Sequence, residues 1–436
     1  MLSKCVVILL DGLGDRSFRE LGDMTPLQAA VTPTLDRLAE RGSNGLFHAN
    51  RLGMAFSSQD AHFSLFGYDW RSMPRRGVLE ALGAGIELSP ENVAVLGRLV
   101  TAADENGALM IKERLPRCTR EEVATLMTDV ASFEWEGIRF SFKPVTGVEG
   151  ILVISGNVSP LVTDSDPMGN QLVAAEVKPL DSAGNHVAAQ KTAAALKQYL
   201  MWTYRRLSAH PINLERLARG EQPINALITH LADQPQTIVP FSKRWGLKAL
   251  SISAKLVQWG ICSSLGMDVL RVKSTGNPGQ DLAERISIAC EHLSDYDFVH
   301  IHTMAPDEAA HTKNPKAKKR VCEALDKGLA TSVGELLKQP DVLLVITSDH
   351  STPSCGPLIH SGEAVPLTMH GCGVRVDGVK RFNEIDCAQG ALGVVRGIEF
   401  MLLVLNHLDR CKLSRTAPSV DEQPYWPGQY EPFRLA

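Results

Sequence analysis

Three apolar runs in this chain end on acid or imidazole side chains, and that repeated arrangement constrains the fold more than any other feature. CVVILL runs into Asp11 and a glycine-bearing turn, DFVHIHT leads to Asp307 with His311 four residues on, and DVLLVIT ends on Asp349 and His350. A run with no polar alternation reads as a strand covered on both faces, which is the habit of parallel sheets. Open α/β sheets place their chemistry at the carboxyl ends of such strands. Oxygen and nitrogen ligands are therefore expected to meet at one sheet edge.

The segment TSDHSTPSCGPLIHSGEAVP adds His360 to Asp349 and His350. If PDEAAH opens a helix, the i, i+4 spacing puts Asp307 and His311 on one face, able to grip one ion. A serine-rich turn, AFSSQDAHFSLFGYD, offers Ser57, Ser58, Asp60 and His62. A serine hydroxyl is a weak nucleophile at neutral pH, and a divalent cation is one way to hold it as an alkoxide. The same residues would also serve as an ordinary helix cap. His300 and His302 alternate along the second strand, so His302 is compatible with facing the site or with a satisfied core position. His62 is compatible with a role orienting ligands.

Taken together, the segments resemble the archaeal-type, cofactor-independent phosphoglycerate mutases of the alkaline phosphatase superfamily. The matching text is DGLGDR with TPLQAAVTPTLDRLAERG, SSQDAHFSLFGYD, RRGVLEALGAGIEL, TDSDPM, HPINLERLARGEQPINAL, DEAAH, TSDHSTP and HSGEAVPL, in family order over residues 5 to 370. The resemblance implies an alkaline-phosphatase-like α/β core, its sheet mostly parallel and flanked by helices, with a small inserted α+β domain. It also implies two metal ions. Asp11, Asp349, His350 and the nucleophile Ser58 would hold one, and Asp307, His311 and His360 the other. Ligands without thiolate suit manganese, zinc or cobalt, and manganese or zinc leads by resemblance.

The substrate half departs from the family pattern. Trp259 stands where the family has the lysine of its KGI segment, and Met304 replaces the lysine of HIKATD. His230 replaces an arginine, Glu149 stands where a cation is expected, and Leu96 takes an arginine position with Arg98 displaced beside it. Gln59 replaces the acid of the family SDTAH motif. Arg76 keeps the position of the family GRG arginine and, with Arg98, is the expected substrate-binding cation; its bland reading is a surface arginine beside Arg75. Loss of such cations removes strong charge-assisted hydrogen bonds.

The expected function is phosphoryl transfer through a phosphoserine on a small phosphorylated or phosphonate-type acid, as a mutase or a phosphatase, and not on ordinary phosphoglycerate. A genuine phosphoglycerate mutase, its anion site rebuilt from Arg98, Arg71 or Lys143, is the first alternative. A non-catalytic metal-binding homologue is the second.

At 436 residues with 44% hydrophobic side chains, the chain exceeds one ordinary core. The expected layout is a discontinuous metal-binding core (1–87 and 222–436), an inserted cap (88–180) and a helical linker (181–221). A net charge of −4 offers no field to attract nucleic acid or an acidic membrane surface. VVILL is too short for a signal-peptide core, and no apolar stretch reaches the ~18 residues of a membrane span. Nine scattered cysteines without CxxC spacing suit reduced thiols in the cytoplasm. A small phosphorylated molecule is the expected partner, with a homo-oligomer compatible. Past residue 412 the polar, proline-rich tail reads as a solvated extension, or as a dimer arm or lid.

Overall fold

The computed structural model describes residues 1–167, 172–184 and 186–435; Met168, which closes TDSDPM, lies outside them. Fourteen strands are present among the described residues. In chain order they are β1 (Lys4–Leu10), β2 (Ser43–His48), β3 (Val93–Glu105), β4 (Ala108–Glu113), β5 (Ser132–Trp135), β6 (Ile138–Thr146) and β7 (Glu149–Ser155). Then follow β8 (Ala226–Asp233), β9 (Ala249–Ser253), β10 (Asp268–Arg271), β11 (Phe298–Thr303), β12 (Val342–Thr347), β13 (Val365–His370) and β14 (Gly393–Arg396). The chain divides into two compact units, Met1–Met73 with Ile238–Ala436, and Pro74–Thr237.

The first unit holds an eight-stranded sheet in the order β10-β9-β11-β1-β12-β13-β2-β14. Pairing is parallel from β10 through β12 and between β2 and β14, and antiparallel on either side of β13. β1, β11 and β12 are buried along nearly their whole lengths, as the unbroken apolar runs of β1 and β12 predict, and β11 buries His300 and His302 as well. Their register sets Leu10 opposite Thr303 and Leu9 opposite Thr347. Asp11, the helix Ala305–His311 and the Asp349-His350 pair therefore leave the sheet side by side.

Helices Pro278–His292 and Pro315–Leu337 cover one face, packing Leu282, Ile286, Leu325 and Leu329 against Val6, Ile8 and Leu344. They cross at Gly279 and Gly328, where an added Cβ would meet the opposite backbone at 2.2–2.3 Å. Only glycine permits that approach. The predicted helix around Leu35 and Leu38 runs Pro33–Glu40; its C-cap is Arg41, and Gly42 instead leads into β2. Cys5 and Cys262 are buried like core residues and Cys290 is half-buried; all nine cysteines are free. The tail docks in part, since Tyr425 is buried with the Arg410 guanidinium over its ring. No helix of the described residues is long and apolar enough to cross a membrane.

The second unit is an antiparallel sheet ordered β4-β3-β7-β6-β5, with β8 also paired to β3. Its extent differs from the expected 88–180. It starts before the helix Arg76–Gly83, because the Arg75 amide is tied to the Asp233 carboxylate at 2.6 Å, and β8 extends it to Thr237. The segment 181–221 is not a linker here. Its helix Val187–Ser208 packs on the sheet, with Tyr199 stacked on Phe140 at 4.9 Å and its hydroxyl donating to the Val130 carbonyl.

Candidate metal centre

The structure brings Asp11, Ser58, Asp307, His311, Asp349, His350 and His360 together at the carboxyl edge of the core sheet. Asp11 follows β1 directly and is fully buried. Asp307 and His311 lie on the helix Ala305–His311 with Asp307 Oδ2 3.2 Å from His311 Nε2, as the i, i+4 spacing predicts. Asp349 and His350 follow β12. Ser58 opens the helix Ser58–Leu65, whose cap is the neighbouring Ser57, bonded to the Asp60 amide. The capping role thus falls to Ser57 and leaves the Ser58 hydroxyl for His350, 2.9 Å from its Nε2. Three groups of potential ligand atoms result among the described residues: Asp11 with Asp349 and His350, Asp307 with His350 and His360, and Asp11 with His62 and His302.

Hydrogen bonding fixes where the imidazole protons sit. His360 Nδ1 lies 2.6 Å from the Phe56 carbonyl, which can only accept, so Nδ1 carries a proton, and in the neutral ring that binds metal the free lone pair is on Nε2. That lone pair faces Asp307 Oδ1 at 3.6 Å. The Thr352 hydroxyl donates to Asp307 Oδ1 at 2.7 Å, so it accepts from His350 Nδ1 at 3.1 Å. His350 Nε2 is then also unprotonated, facing Asp349 at 3.2 Å and Asp11 at 3.4 Å. Lone pairs of two imidazoles and three aspartates converge without enough protons between them. A divalent cation resolves such a conflict, and the buried oxygens Asp11 Oδ1 and Asp349 Oδ2 have no hydrogen-bond partner.

Burial pushes the Asp11 carboxyl well above its ordinary value, and the charges of Asp349, Asp307 and Glu308 add to that. Burial acts on Asp349 in the same direction, but His350, His62 and His302 outweigh it and hold that carboxyl well below the usual range. Burial lowers His350 to about 4 and keeps it neutral, the form that binds metal.

Four further residues support the cluster. His302 Nε2 donates to Asp11 Oδ2 at 2.9 Å, so the ring faces the site. His62 Nδ1 donates to the Ser58 carbonyl at 2.7 Å, and its buried Nε2 is unpartnered. Thr352, which joins His350 to Asp307, and Lys318 escape sequence reasoning. Lys318 is fully buried, donates to the Gly14 and Thr352 carbonyls and pairs with Asp15 at 3.3 Å, clamping the loops that follow β1 and β12. In sequence it is one of the lysines of KAKKR, indistinguishable from its exposed neighbours. Gly12 is also required: with φ +65°, a Cβ there would meet Asp307 and Thr352 at 2.7 Å.

The two expected substrate cations belong to the other unit, where each already holds a carboxylate. Arg98 binds Glu149 through Nε at 3.1 Å and Nη2 at 2.5 Å, and Arg76 Nε binds Glu80 at 2.5 Å. His230 feels both arginines as well as Asp166 and Asp164.

A family model for the metalloenzyme superfamily matches residues 3–407. The 2,3-bisphosphoglycerate-independent phosphoglycerate mutase 2 of Methanocaldococcus jannaschii is 40% identical over 418 residues, 94% of each chain. The chain belongs to the archaeal phosphoglycerate mutase family of metalloenzymes. Another relative, the 2,3-bisphosphoglycerate-independent phosphoglycerate mutase of Pyrococcus furiosus, is 35% identical over 93% of this chain and 98% of its own. A solved protein of Pyrococcus horikoshii superposes with TM-score 0.77 at 29% identity, covering 95% of this chain and all of that one. The cofactor-independent phosphoglycerate mutase of Thermoplasma acidophilum gives 0.68 at 29% identity over 93% and 100%. This family member is a metal-dependent phosphoryl-transfer enzyme with a mixed α/β, mostly parallel core.

Proposed function

We propose that the enzyme uses two divalent cations, manganese or zinc, and a phosphoserine at Ser58, and acts on a small phosphorylated or phosphonate-type acid other than ordinary phosphoglycerate. The observation that carries this reading is the Ser58 hydroxyl, 2.9 Å from His350 Nε2, at the point where the unprotonated faces of Asp11, Asp349 and His350 meet. Asp11, Asp349, His350 and Ser58 would hold one ion, and Asp307, His311 and His360 the other. Bound cations would supply the charge that keeps Ser58 as an alkoxide and neutralises the phosphoryl oxygens.

The Ser58 oxygen attacks phosphorus while the substrate's P–O ester bond breaks, and the departing alkoxide takes up the proton that Ser58 lost. Return of the phosphoryl group to a different hydroxyl makes a mutase; transfer to water makes a phosphatase. His302 and His62 keep Asp11 and the Ser58 backbone in register during both halves. Arg76 and Arg98, the expected substrate-binding cations, would take up an anionic group only by giving up their carboxylate partners.

A diverged substrate is favoured by Trp259, Met304, Glu149 and Leu96 at positions where the family has cations, and by the pairing of Arg98 with Glu149. The second reading, a genuine phosphoglycerate mutase, is favoured by the names and 35–40% identities of the relatives. The test is to load the protein with manganese or zinc and follow labelled phosphate into Ser58. Phosphate release from a panel of phosphorylated acids and interconversion of 2- and 3-phosphoglycerate are measured in parallel, with Ser58→Ala as control. Labelled Ser58 with release but no interconversion supports the first reading, and interconversion the second. Absence of label from every substrate overturns both.

A further inference from the structure

Within the core unit, beside the metal cluster, a cavity of about 50 Å³ is bounded by Lys255, Ser274, Arg285, His302, Met304 and Glu308. At ~30 Å³ per water, it holds one or two waters or one small ionic group. Arg285 is 2% exposed, yet among the described residues no carboxylate oxygen lies within 4.0 Å of its guanidinium. Its Nη1 donates to the His302 carbonyl at 2.7 Å and its Nη2 to the Ser274 hydroxyl at 3.1 Å and the Lys273 carbonyl at 3.4 Å, while the buried Nε has no acceptor. The carboxylate of nearby Asp281 is occupied by the amide and hydroxyl of Thr275. Asp281, which also lines the cavity, Glu284 and Glu308 act on Arg285 only from a distance; a buried guanidinium with no carboxylate in direct contact is costly, so a cavity against it is suited to receive an anion.

The position has a chemical logic. Met304, at the position where the resemblance leads one to expect a lysine, lines this cavity, and Lys255 brings an ammonium to the same space, 2.6 Å from Glu308. His302 joins the cavity to the metal cluster, since its carbonyl holds Arg285 and its ring holds Asp11. The small volume, and the carboxylate of Glu308 on the wall, favour a planar monoanion over a second phosphoryl dianion.

We propose that this cavity is the subsite for the substrate's carboxylate, with Arg285 as the fork that receives it and Lys255 as the second cation. The phosphoryl group then goes to the cluster around Ser58, so the proposal rests on the phosphoryl-transfer reading above. The positive charge missing at residue 304 is restored from a helix and a loop on either side of it. Specificity follows from the distance between this subsite and the metal cluster.

Calorimetric titration of the metal-loaded, full-length protein with D-glycerate, which carries a carboxylate and no phosphoryl group, tests this without turnover. Inorganic phosphate serves as the contrasting probe. Arg285→Met should weaken glycerate binding about tenfold or more, the scale of a lost charge-assisted pair, with Arg285→Lys between it and wild type. Lys255→Met, on a part-exposed side chain, should weaken it about threefold, the scale of a screened charge. Phosphate affinity should stay within about twofold in all three, because phosphate is held by point charges elsewhere. Failure of wild type to bind glycerate, unchanged binding in the variants, or equal loss of glycerate and phosphate would each overturn the assignment. If Arg285→Met does not fold, Lys255→Met and Arg285→Lys decide the matter. Absence of label at Ser58 would sink the phosphoryl-transfer reading instead, and the glycerate titration would still be readable.

Discussion

The metal cluster of the core unit and the arginine patch of the inserted unit are both rich in charge, yet they settle it in opposite ways. In the core, Asp11, Asp307 and Asp349 face imidazole lone pairs, and two carboxylate oxygens have no partner. In the inserted unit Arg76, Arg98 and Arg114 each bind a carboxylate of the same unit. The first region is incomplete without cations, whereas the second is electrically satisfied as it stands. A catalytic centre keeps its conflict for the missing partner to resolve. A patch that has been rebuilt can close on itself, and that is why the metal chemistry follows from the residues more directly than the substrate does.

The comparison breaks first at Ser58. Ser58→Ala should lower turnover about a thousandfold or more, the scale of removing a nucleophile, with metal affinity changed far less. Steady-state kinetics beside metal titration check it, and equal losses in both would make Ser58 a structural ligand only. Next comes metal itself. Manganese or zinc at about a thousand times its dissociation constant should stabilise the fold by about 4 kcal/mol for each ion bound, with a matching rise in Tm that chelation reverses. Phosphate alone at the same concentration should produce much less, since the arginine patch already has its anions.

Lys318→Met should cost about 3–5 kcal/mol, because Asp15 would be left charged and unpaired in a dry setting while two loop carbonyls lose their donor. Urea unfolding checks this, and a loss below ~1 kcal/mol would mean that the clamp does not matter. A paired exchange, Lys318→Met with Asp15→Leu, should recover part of the loss.

Much of this site can be read from the chain alone, and the reason is local. Asp11, Asp349 and His350 sit directly behind apolar strands, so the sheet register delivers them, and Asp307 with His311 follows from helical spacing. What cannot be read depends on distant partners. Thr352 matters only because it lies between His350 and Asp307, and Lys318 only because its helix buries one lysine of a basic run. The inserted unit reaches beyond 88–180 for the same reason, since β8 joins β3 from more than a hundred residues away. Helix Val187–Ser208 looks like a connector until its aromatic face meets the sheet.

Acidification touches both units through one buried and three half-buried histidines away from the ligands. Burial lowers His48, His370 and His407 in the core, and His230 in the inserted unit, below their ordinary value of 6.5. The unfolded chain takes up these protons first. Each neutral imidazole therefore contributes stability that is fully present above pH 6.5 and drains away as pH falls below it. Proton NMR titration should give all four midpoints below 6.5, and a midpoint at or above that value would refute the assignment for that residue.

The smallest effect belongs to the Arg98–Glu149 pair and bears most directly on what the two regions teach. Arg98 is a quarter exposed and Glu149 two-fifths, so Glu149→Gln should cost at most ~1 kcal/mol of stability. Functionally the change should act the other way, because it frees a fork-shaped cation that the wild type keeps occupied. The KM for an anionic substrate should fall while kcat changes little, since a group that meets the substrate in ground and transition state alike alters binding uniformly. A KM that stays put would mean that the carboxylate partner was never exchanged, and that Arg98 serves the inserted unit's own structure.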